Sequence, residues 1–183
     1  MNVMHWCRYV MNQHTQGLVK GLRPETLSVL EISGLNWRNF GFKQYDAVQY
    51  PQFDVCAQTL PRQYDLILAE QVFEHIRHPG KAAANVLKML REGGTFLLTL
   101  PFLIQYHPQP LDLWRWTGPG LKCLLEDAGF ADVQCFSWGN KECVVANLDA
   151  WVDYDPAIHS LSNDPRYPVV VWGVGRRARA SAA

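Results

Sequence analysis

Short apolar runs alternate with amphipathic stretches along most of the chain, and this pattern predicts strands alternating with helices. The runs near the middle of the chain are apolar at nearly every position, which is typical of parallel strands buried on both faces. The strands are predicted at residues 27–32, 45–50, 64–69, 95–100, 133–138 and 169–174. The helices are predicted at residues 3–20, 70–76, 80–90, 118–128 and 146–152. Thr117 is a good N-cap for the fourth helix, and Gly129 ends it.

This order of elements predicts an α/β fold, with an open, mostly parallel sheet and helices on both faces. In such sheets ligands bind outside the carboxyl ends of the strands. The candidate functional segments are therefore those that follow the predicted strands, at 31–37, 49–54, 69–71 and from 100 onward. The length of 183 residues suits one domain. Its expected parts are an N-terminal helix at 1–23, a core at 24–138, and a lid segment with the last strand at 139–183.

Composition narrows the classes of partner. The chain has 17 basic and 17 acidic residues, whereas a nucleic-acid partner calls for a basic excess or a basic stripe. The one basic cluster, Arg176, Arg177 and Arg179, is interpreted as a solvated tail, with a phosphate-binding arm as the alternative. No apolar run reaches the roughly 18 residues that span a bilayer, and no signal peptide is expected. Five cysteines without a C-x-x-C pair predict reduced thiols and a cytoplasmic location.

Five segments, in a consistent order, carry a resemblance to a known family. They are residues 29–34 (VLEISG), 53–56 (FDVC), 64–75 (YDLILAEQVFEH), 90–96 (LREGGTF) and 113–130. Their order and spacing resemble the class I S-adenosylmethionine-dependent methyltransferases, particularly the small type 11 group. The block from 64 to 96 is the most specific part. The resemblance implies a Rossmann-like methyltransferase sheet, S-adenosylmethionine as cofactor and a small molecule as acceptor.

The resemblance also implies a site for the methionine end of the methyl donor. Glu31, at the end of the first strand, would bind the amino group of the donor. The turn at Ser33 and Gly34 would let the backbone approach the donor carboxylate. Glu70 and Gln71 would lie where the sulfonium end sits.

The nucleoside end of the donor is assigned to the segment after the second strand. Asp54 would accept a hydrogen bond from the adenine amino group, while the N–H of Val55 faces a ring nitrogen. Gln49 stands where an acidic residue is expected to bind the ribose hydroxyls, and an uncharged amide binds them more weakly. Tyr50 and Phe53 are expected to cover the adenine face.

Besides Gln49, the chain departs from the family pattern at two further places. Where the family has three glycines at alternate positions, this chain has Ser33, Leu35 and Trp37, so the two large side chains must point away from the donor. Only four residues separate Gln49 from Asp54, too few for the helix and strand that normally follow the second strand. About six strands are therefore expected, with the second strand at an exposed edge. Pairing of that edge predicts a homodimer, and a loop folded across it is the alternative.

The loop after the fourth predicted strand supplies the candidates for the acceptor side. His107 is the candidate catalytic residue, because a neutral imidazole can take a proton from a hydroxyl or amine acceptor. The alternative for His107 is a structural or substrate-contact role. Asp112 and Arg115 either bind a polar substrate or pair with each other. A second candidate lid, between the last two strands, supplies Asp153, Asp155 and His159.

No metal site is expected. Glu74, His75 and His78 lack the spacing of H-E-x-x-H, in which two histidines lie four residues apart on a helix. These side chains are interpreted as helix-surface groups or as groups that support a neighbouring site.

Three classes of function follow. The favoured one is methyl transfer from S-adenosylmethionine to a small polar acceptor, a sugar or a secondary metabolite. The alternative is a catalytically inactive methyltransferase-like binding or regulatory subunit, which the altered glycine turn supports. A dinucleotide-dependent oxidoreductase is disfavoured because no G-x-G-x-x-G opens the first helix.

Overall fold

The computed structural model describes residues 4–180, which form a six-stranded mixed sheet with α-helices on both faces. The strands are β1 (Ser28–Ile32), β2 (Gln44–Val48), β3 (Tyr64–Glu70), β4 (Leu90–Pro101), β5 (Ala131–Trp138) and β6 (Val170–Arg176). The helices are α1 (Trp6–Gly21), α2 (Pro79–Met89), α3 (Gly118–Asp127) and α4 (Lys141–Asp149), with single 3₁₀ turns at Pro24–Thr26 and Phe73–His75. The strand order is β2-β1-β3-β4-β6-β5.

The first four strands of the sheet are parallel, and β6 runs against both of its neighbours. The predicted α/β class, the mostly parallel sheet and the strand number are therefore confirmed. Because β1, β3 and β4 run in one direction, their carboxyl ends share one edge of the sheet, and the loops from that edge can form one site.

Alternate side chains of the central strands enter two separate cores. Leu30, Ile67 and Leu98 lie in the core that also contains residues of α2 and α3. On the opposite face, Leu66 and Leu97 pack with residues of α1 and the loop after β1. Burial on both faces explains why these strands read as continuous apolar runs rather than as an alternation of apolar and polar residues.

The N-terminal half of α1 belongs to a further core at the carboxyl edge of the sheet. Trp6, Cys7 and Met11 are buried there with Trp138 and Trp172, which come from β5 and β6. The first helix is therefore held over the edge of the sheet where ligands bind in this architecture.

Two predicted helices differ from the structure. The segment at 70–76 forms only the single turn Phe73–His75, because Gln71 has a positive φ of 55° and Pro79 disfavours a helical conformation in the residue before it. The helix predicted at 146–152 is instead α4, which begins at Lys141. Its N-cap is Asn140, whose side chain accepts a hydrogen bond from the N–H of Cys143 at 2.8 Å.

The outer edge of β2 has no strand partner among the described residues. This confirms that the second strand is an edge strand. A tight turn follows, in which Phe53 N–H donates to the carbonyl of Gln49 at 2.9 Å. Phe53 packs against the core, but Tyr50 is 71% exposed, so only one of the two aromatic residues packs inward.

Within residues 4–180, no helix combines the length and the apolar character that crossing a bilayer requires.

Candidate functional site

Two residues with left-handed backbone follow directly on strands at the carboxyl edge. Ser33 and Gln71 each have φ of 55°, a conformation that is uncommon for non-glycine residues and concentrates at functional sites. Hydrogen bonds hold both turns: Ser33 N–H donates to the carbonyl of Val48 at 2.8 Å, and Gln71 N–H donates to the carbonyl of Thr99 at 3.0 Å. The backbone at the ends of β1 and β3 is therefore fixed by the neighbouring strands.

Glu31 is fully buried and organises the loop that follows β1. Its carboxylate accepts hydrogen bonds from the N–H of Asn36 and the N–H of Trp37, each at 3.0 Å, and from the hydroxyl of Tyr45 at 2.6 Å. Burial and the bond to Glu31 raise the pKa of the Tyr45 hydroxyl. The carboxylate therefore serves as a clamp on the loop.

The same clamp explains the glycine that the family resemblance had singled out. A Cβ on Gly34 would lie 2.2 Å from Oε1 of Glu31, so a side chain there would displace the carboxylate. Leu35 is 53% exposed and Trp37 is buried against the sheet. The two large residues of the altered turn are thus accommodated, Leu35 at the surface and Trp37 against the sheet, whereas position 34 has no space for a side chain.

A cavity of about 310 Å³ lies between α1, the loop after β1 and the end of β3. The side chains of Arg8, Asn12 and Glu70 give it polar walls; the other lining residues are Met4, His5, Thr15, Gln16, Asn36, Trp37 and Phe40. Arg8 Nη1 lies 3.9 Å from Oε1 of Glu70, and Trp37 Nε1–H donates to Oε2 of Glu70 at 3.0 Å. Burial raises the pKa of Glu70, and Arg8 opposes that rise.

The wall of this cavity also contains an unsatisfied acceptor. Oδ1 of Asn12 is buried and has no hydrogen-bond partner among residues 4–180. One guanidinium, one carboxylate and one amide side chain therefore line the same cavity. This set matches the carboxylate and ammonium groups of a free amino acid end.

The residues assigned to the nucleoside end lie on the exposed turn after β2. Gln49 and Tyr50 are exposed. Asp54 Oδ1 accepts a hydrogen bond from the N–H of Cys56 at 2.8 Å, and the carbonyl of the buried Val55 accepts one from Nδ2 of Asn85 at 2.9 Å. These contacts fix the turn at the same edge of the sheet as the cavity.

Glu74 lies fully buried in the 3₁₀ turn after β3, and neither of its carboxylate oxygens has a hydrogen-bond partner within the described part of the chain. Nε2 of His75 is 3.8 Å from its Oε1, and the rings of His75 and His107 are 5.3 Å apart in an edge-to-face arrangement. Burial raises the pKa of Glu74 to about 8. The structure thus places His75 in contact with both His107 and the buried carboxyl group of Glu74, which has no hydrogen bond.

Asp112 and Arg115 pair with each other. The Asp112 carboxylate accepts from the Arg115 guanidinium and, at 2.9 Å, from the N–H of His107. Arg115 also donates to the carbonyl of Gln105 at 3.1 Å. Burial acts to raise the pKa of Asp112, but the bonds from Arg115 and His107 outweigh it and hold that pKa below its usual range. The pair therefore shapes the loop that carries His107.

His107 itself is half-buried in this loop. Burial lowers the pKa of His107, and the nearby Asp112 carboxylate opposes the shift. The imidazole is therefore neutral at pH 7, the form that can accept a proton.

The polar groups of the second candidate lid contact α1 and their own turn. His5 Nδ1 lies 3.2 Å from Oδ1 of Asp153, and the ring of His159 stacks on Trp6 at 4.2 Å. Asp155 accepts from the N–H of Ala157 within its own turn. These contacts secure the start of α1.

Sequence reasoning missed Arg8 and Asn12, and it treated Glu74 only as a supporting group. Arg8 and Asn12 lie four residues apart on α1, so the helical spacing could have shown that they share a face. Nothing local indicates that this face would lie over the end of β3.

A second concavity, of about 470 Å³, lies at the opposite edge of the sheet. It is lined by Gly93, Ala131, Asp132, Arg176, Arg177, Ala178 and Arg179. Because it is at the amino ends of the parallel strands, it is remote from the edge where ligands bind in this fold. In the same residues 4–180, no group of three or more His, Cys, Asp or Glu side chains is placed to hold a metal ion.

Comparison with protein families identifies the chain. Residues 7–134, more than half of the sequence, match the family model described as a methyltransferase domain. The chain belongs to the methyltransferase family. The predicted class I methyltransferase, with S-adenosylmethionine as its cofactor, is therefore confirmed at the level of the family.

Solved structures share the fold of this methyltransferase. Phosphoethanolamine N-methyltransferase 2 of Haemonchus contortus, in complex with S-adenosyl-L-methionine, has a TM-score of 0.60 at 12% identity, covering 90% of this chain and 53% of that chain. A methyltransferase of Mesorhizobium loti has a TM-score of 0.58 at 13% identity, covering 88% of this chain and 96% of that one. A methyltransferase of Thermotoga maritima has a TM-score of 0.57 at 12% identity, with 94% and 98% covered.

At these identities the likeness shows the fold. The chain spans about half of the length of the Haemonchus enzyme. A comparison with curated protein sequences gave no match.

Proposed function

We propose that this chain binds S-adenosylmethionine at the carboxyl edge of the sheet and transfers its methyl group to a small polar acceptor, a sugar or a secondary metabolite, in the cytoplasm. The observation that carries the proposal is the cavity that Arg8, Glu70 and Asn12 line together, with the Oδ1 of Asn12 left without a hydrogen-bond partner among residues 4–180. The five cysteines, all within residues 4–180, are free thiols.

The methionine end of the donor fits this cavity. Arg8 would pair with the donor carboxylate, and Glu70 with Asn12 would accept hydrogen bonds from its amino group. The cavity volume of about 310 Å³ is at the low end of the roughly 300–1,000 Å³ usual for ligand pockets. We therefore assign the cavity to the methionine end alone, with the nucleoside end toward Gln49, Tyr50 and Asp54.

The proposed role of four residues is to fix the backbone that surrounds the donor. These residues are Glu31, Ser33, Gly34 and Gln71. Glu31 fixes the loop after β1, and Gln71 holds the end of β3 by its bonds to Thr99. S-adenosylmethionine supplies a methyl group activated by a sulfonium, and most of the acceleration comes from holding that group in line with the acceptor atom. Rigid turns at the ends of β1 and β3 meet this need.

His107 is the proposed proton acceptor. Its imidazole is neutral and half-buried, and its backbone N–H donates a hydrogen bond to Asp112, which holds this part of the loop in place. A neutral imidazole near the acceptor would take the proton that a hydroxyl or amine loses when it is methylated.

Donor binding is tested by calorimetry with S-adenosylmethionine and S-adenosylhomocysteine. We expect Arg8→Ala to weaken the affinity for both by roughly tenfold or more, because a charge-assisted hydrogen bond contributes about 1.5–3 kcal/mol. Lys20→Ala removes an exposed charge from the last turn of the same helix and should leave both affinities unchanged. Absence of binding to the wild-type chain would contradict the proposed function.

A catalytically inactive binding subunit is the second candidate function. The observation that favours it is that both carboxylate oxygens of Glu31 already accept hydrogen bonds from the chain, so neither is free to bind the donor. The buried Trp37 in the altered turn also supports this candidate. Such a subunit would bind the donor without turnover, or bind neither donor nor product. Steady conversion of the donor to S-adenosylhomocysteine in the presence of acceptors would exclude it.

Self-association along β2 is the proposed solution for its uncovered edge. An edge strand presents unpaired N–H and C=O groups that readily pair with a second strand. We expect light scattering to show a dimer, and a proline placed at Ala47, which is exposed on β2, to return it to a monomer. A wild-type monomer at high protein concentration would leave the covering loop as the remaining explanation.

A further inference from the structure

Glu74 is a buried acid for which the described chain supplies no side-chain hydrogen bond, and Nε2 of His75 lies 3.8 Å from its Oε1. Its side chain is fully buried, and both oxygens lack a hydrogen bond to any of residues 4–180. An ionised carboxylate in this position needs donors, and a protonated one needs an acceptor for its own hydrogen. The group is therefore unsatisfied in either protonation state, which is rare in folded proteins.

The cations close to Glu74 are already committed. Arg8 and Arg115 both act on it electrostatically. However, Arg8 is paired with Glu70, and Arg115 is paired with Asp112. When Glu74 is ionised, three carboxylates therefore stand against two guanidinium groups, and both guanidinium groups are already paired. An ionised Glu74 would gain from one more positive charge.

The cover over Glu74 is a loop rather than a helix or strand. The carbonyl of Glu74 accepts from the N–H of Leu113 at 2.9 Å, and Nε1–H of Trp114 donates to the carbonyl of Ile76 at 2.9 Å. This loop carries His107, the proposed proton acceptor, and its outer residues are exposed. Loops of this kind open at lower free energy than the core strands, and an opening of this loop on the side of His107 is what would admit a ligand to the carboxylate.

We propose that Glu74 binds an amino group of the acceptor, so that the small polar acceptor of this methyltransferase is an amine. The inference rests on the proposed function, since it assigns the substrate class of the same site. A primary or secondary ammonium group supplies both the positive charge and the N–H donors that the two oxygens lack.

Proton exchange should accompany amine binding. Because burial raises the pKa of Glu74 to about 8, the free acid is protonated at pH 7 and must lose its proton when it receives an ammonium ion. Roughly one proton per bound amine should then be released to the buffer, a readout that a purely structural glutamate would not give.

The experiment uses the full chain saturated with S-adenosylhomocysteine. Ethanolamine, tyramine and glucosamine are titrated beside their hydroxyl counterparts ethylene glycol, tyrosol and glucose. Calorimetry is run in phosphate and in HEPES at pH 7, since their different heats of ionisation reveal the protons exchanged and neither buffer is a primary or secondary amine. At least one amine should bind ten times more tightly than its hydroxyl counterpart, with about one proton released.

Variants separate the role of Glu74 from a general loss of structure. Glu74→Gln keeps the shape and should weaken that amine at least tenfold and abolish the proton release, while donor affinity is unchanged. Glu74→Asp retains the charge and should restore part of the binding, which covers the case in which the glutamine variant folds poorly. Glu142→Gln, an exposed change of the same kind on α4, should have no effect.

Two results would overturn the inference: no amine binds the wild-type chain, or the amine binds Glu74→Gln as well as it binds the wild type. Either result can occur while donor binding is intact, and then the proposed methyl transfer stands with a different acceptor class. Failure of donor binding is detected separately, by the calorimetry of the Arg8 series.

Discussion

Replacing His107 by alanine is expected to lower turnover by about 100-fold or more, while the affinity for S-adenosylmethionine stays within a factor of about three. General base catalysis contributes roughly 10²–10⁴-fold, and His107 lies on the covering loop, away from the Arg8 and Glu70 cavity. Steady-state rates and donor calorimetry on the same preparations measure the two quantities. His78→Ala, which removes an exposed imidazole before α2, serves as the control and should retain the wild-type rate.

The pH dependence provides a second check on His107. Because burial lowers the pKa of His107, the imidazole stays neutral at pH values where an exposed histidine is already half-charged, at about 6.5. The rate should therefore be steady near pH 7 and fall only in more acidic solution, because a protonated imidazole cannot accept a further proton. The residual rate of His107→Ala should lack this fall. A variant with wild-type turnover and an unchanged profile would make His107 a structural residue.

Replacing Glu31 by alanine is expected to lower the free energy of unfolding by about 3–6 kcal/mol. The buried N–H of Trp37 and the partly buried N–H of Asn36 and hydroxyl of Tyr45 would lose their common acceptor. A lost hydrogen bond to a charged group costs about 1.5–3 kcal/mol, and water can replace part of the two outer bonds. Donor affinity should fall together with stability, because the loop that lines the cavity contains Asn36 and Trp37. Denaturation in urea measures the first effect, and calorimetry measures the second.

The matched control is Glu25→Ala, which removes an exposed carboxylate just before β1. Its unfolding midpoint should stay close to that of the wild type, since exposed substitutions usually change stability by less than about 0.5 kcal/mol. A Glu31→Ala variant with the wild-type midpoint would show that the loop is held by other contacts.

The sheet could be predicted from the sequence because its central strands are buried on both faces. The apolar runs that form β3 and β4 are typical of buried strands and allow few other interpretations. Only four residues separate Gln49 from Asp54, which is too short for a helix and a strand in any tertiary context. Local rules also located the N-cap Thr117, whose side chain accepts from the N–H of Gly120. These features depend on neighbours in sequence, which is why a single sequence is enough for them.

The walls of the donor cavity could not be predicted in this way. Arg8 meets Glu70 because the N-terminal half of α1 packs against β5 and β6, which are distant in sequence. Glu74 is similar, because it is buried by a loop that lies beyond β4. From the sequence, Glu74 was interpreted as a helix-surface or supporting group, whereas in the structure tertiary packing buries it fully.

The placement of α1 has a consequence for the order in which the molecule is completed during synthesis. The helix is translated before its anchors: Trp6 bonds to the carbonyls of Val152 and Ser160, and Trp172 bonds to His14. Until β6 has been translated, the N-terminal half of the helix cannot pack in the core that contains Trp172, and one wall of the cavity is not held in place. Contacts of such high sequence separation close slowly. If the cavity binds the donor as proposed, a nascent chain would therefore bind it only after β6 has been translated, so the cofactor would stabilise the complete sheet and not its intermediates.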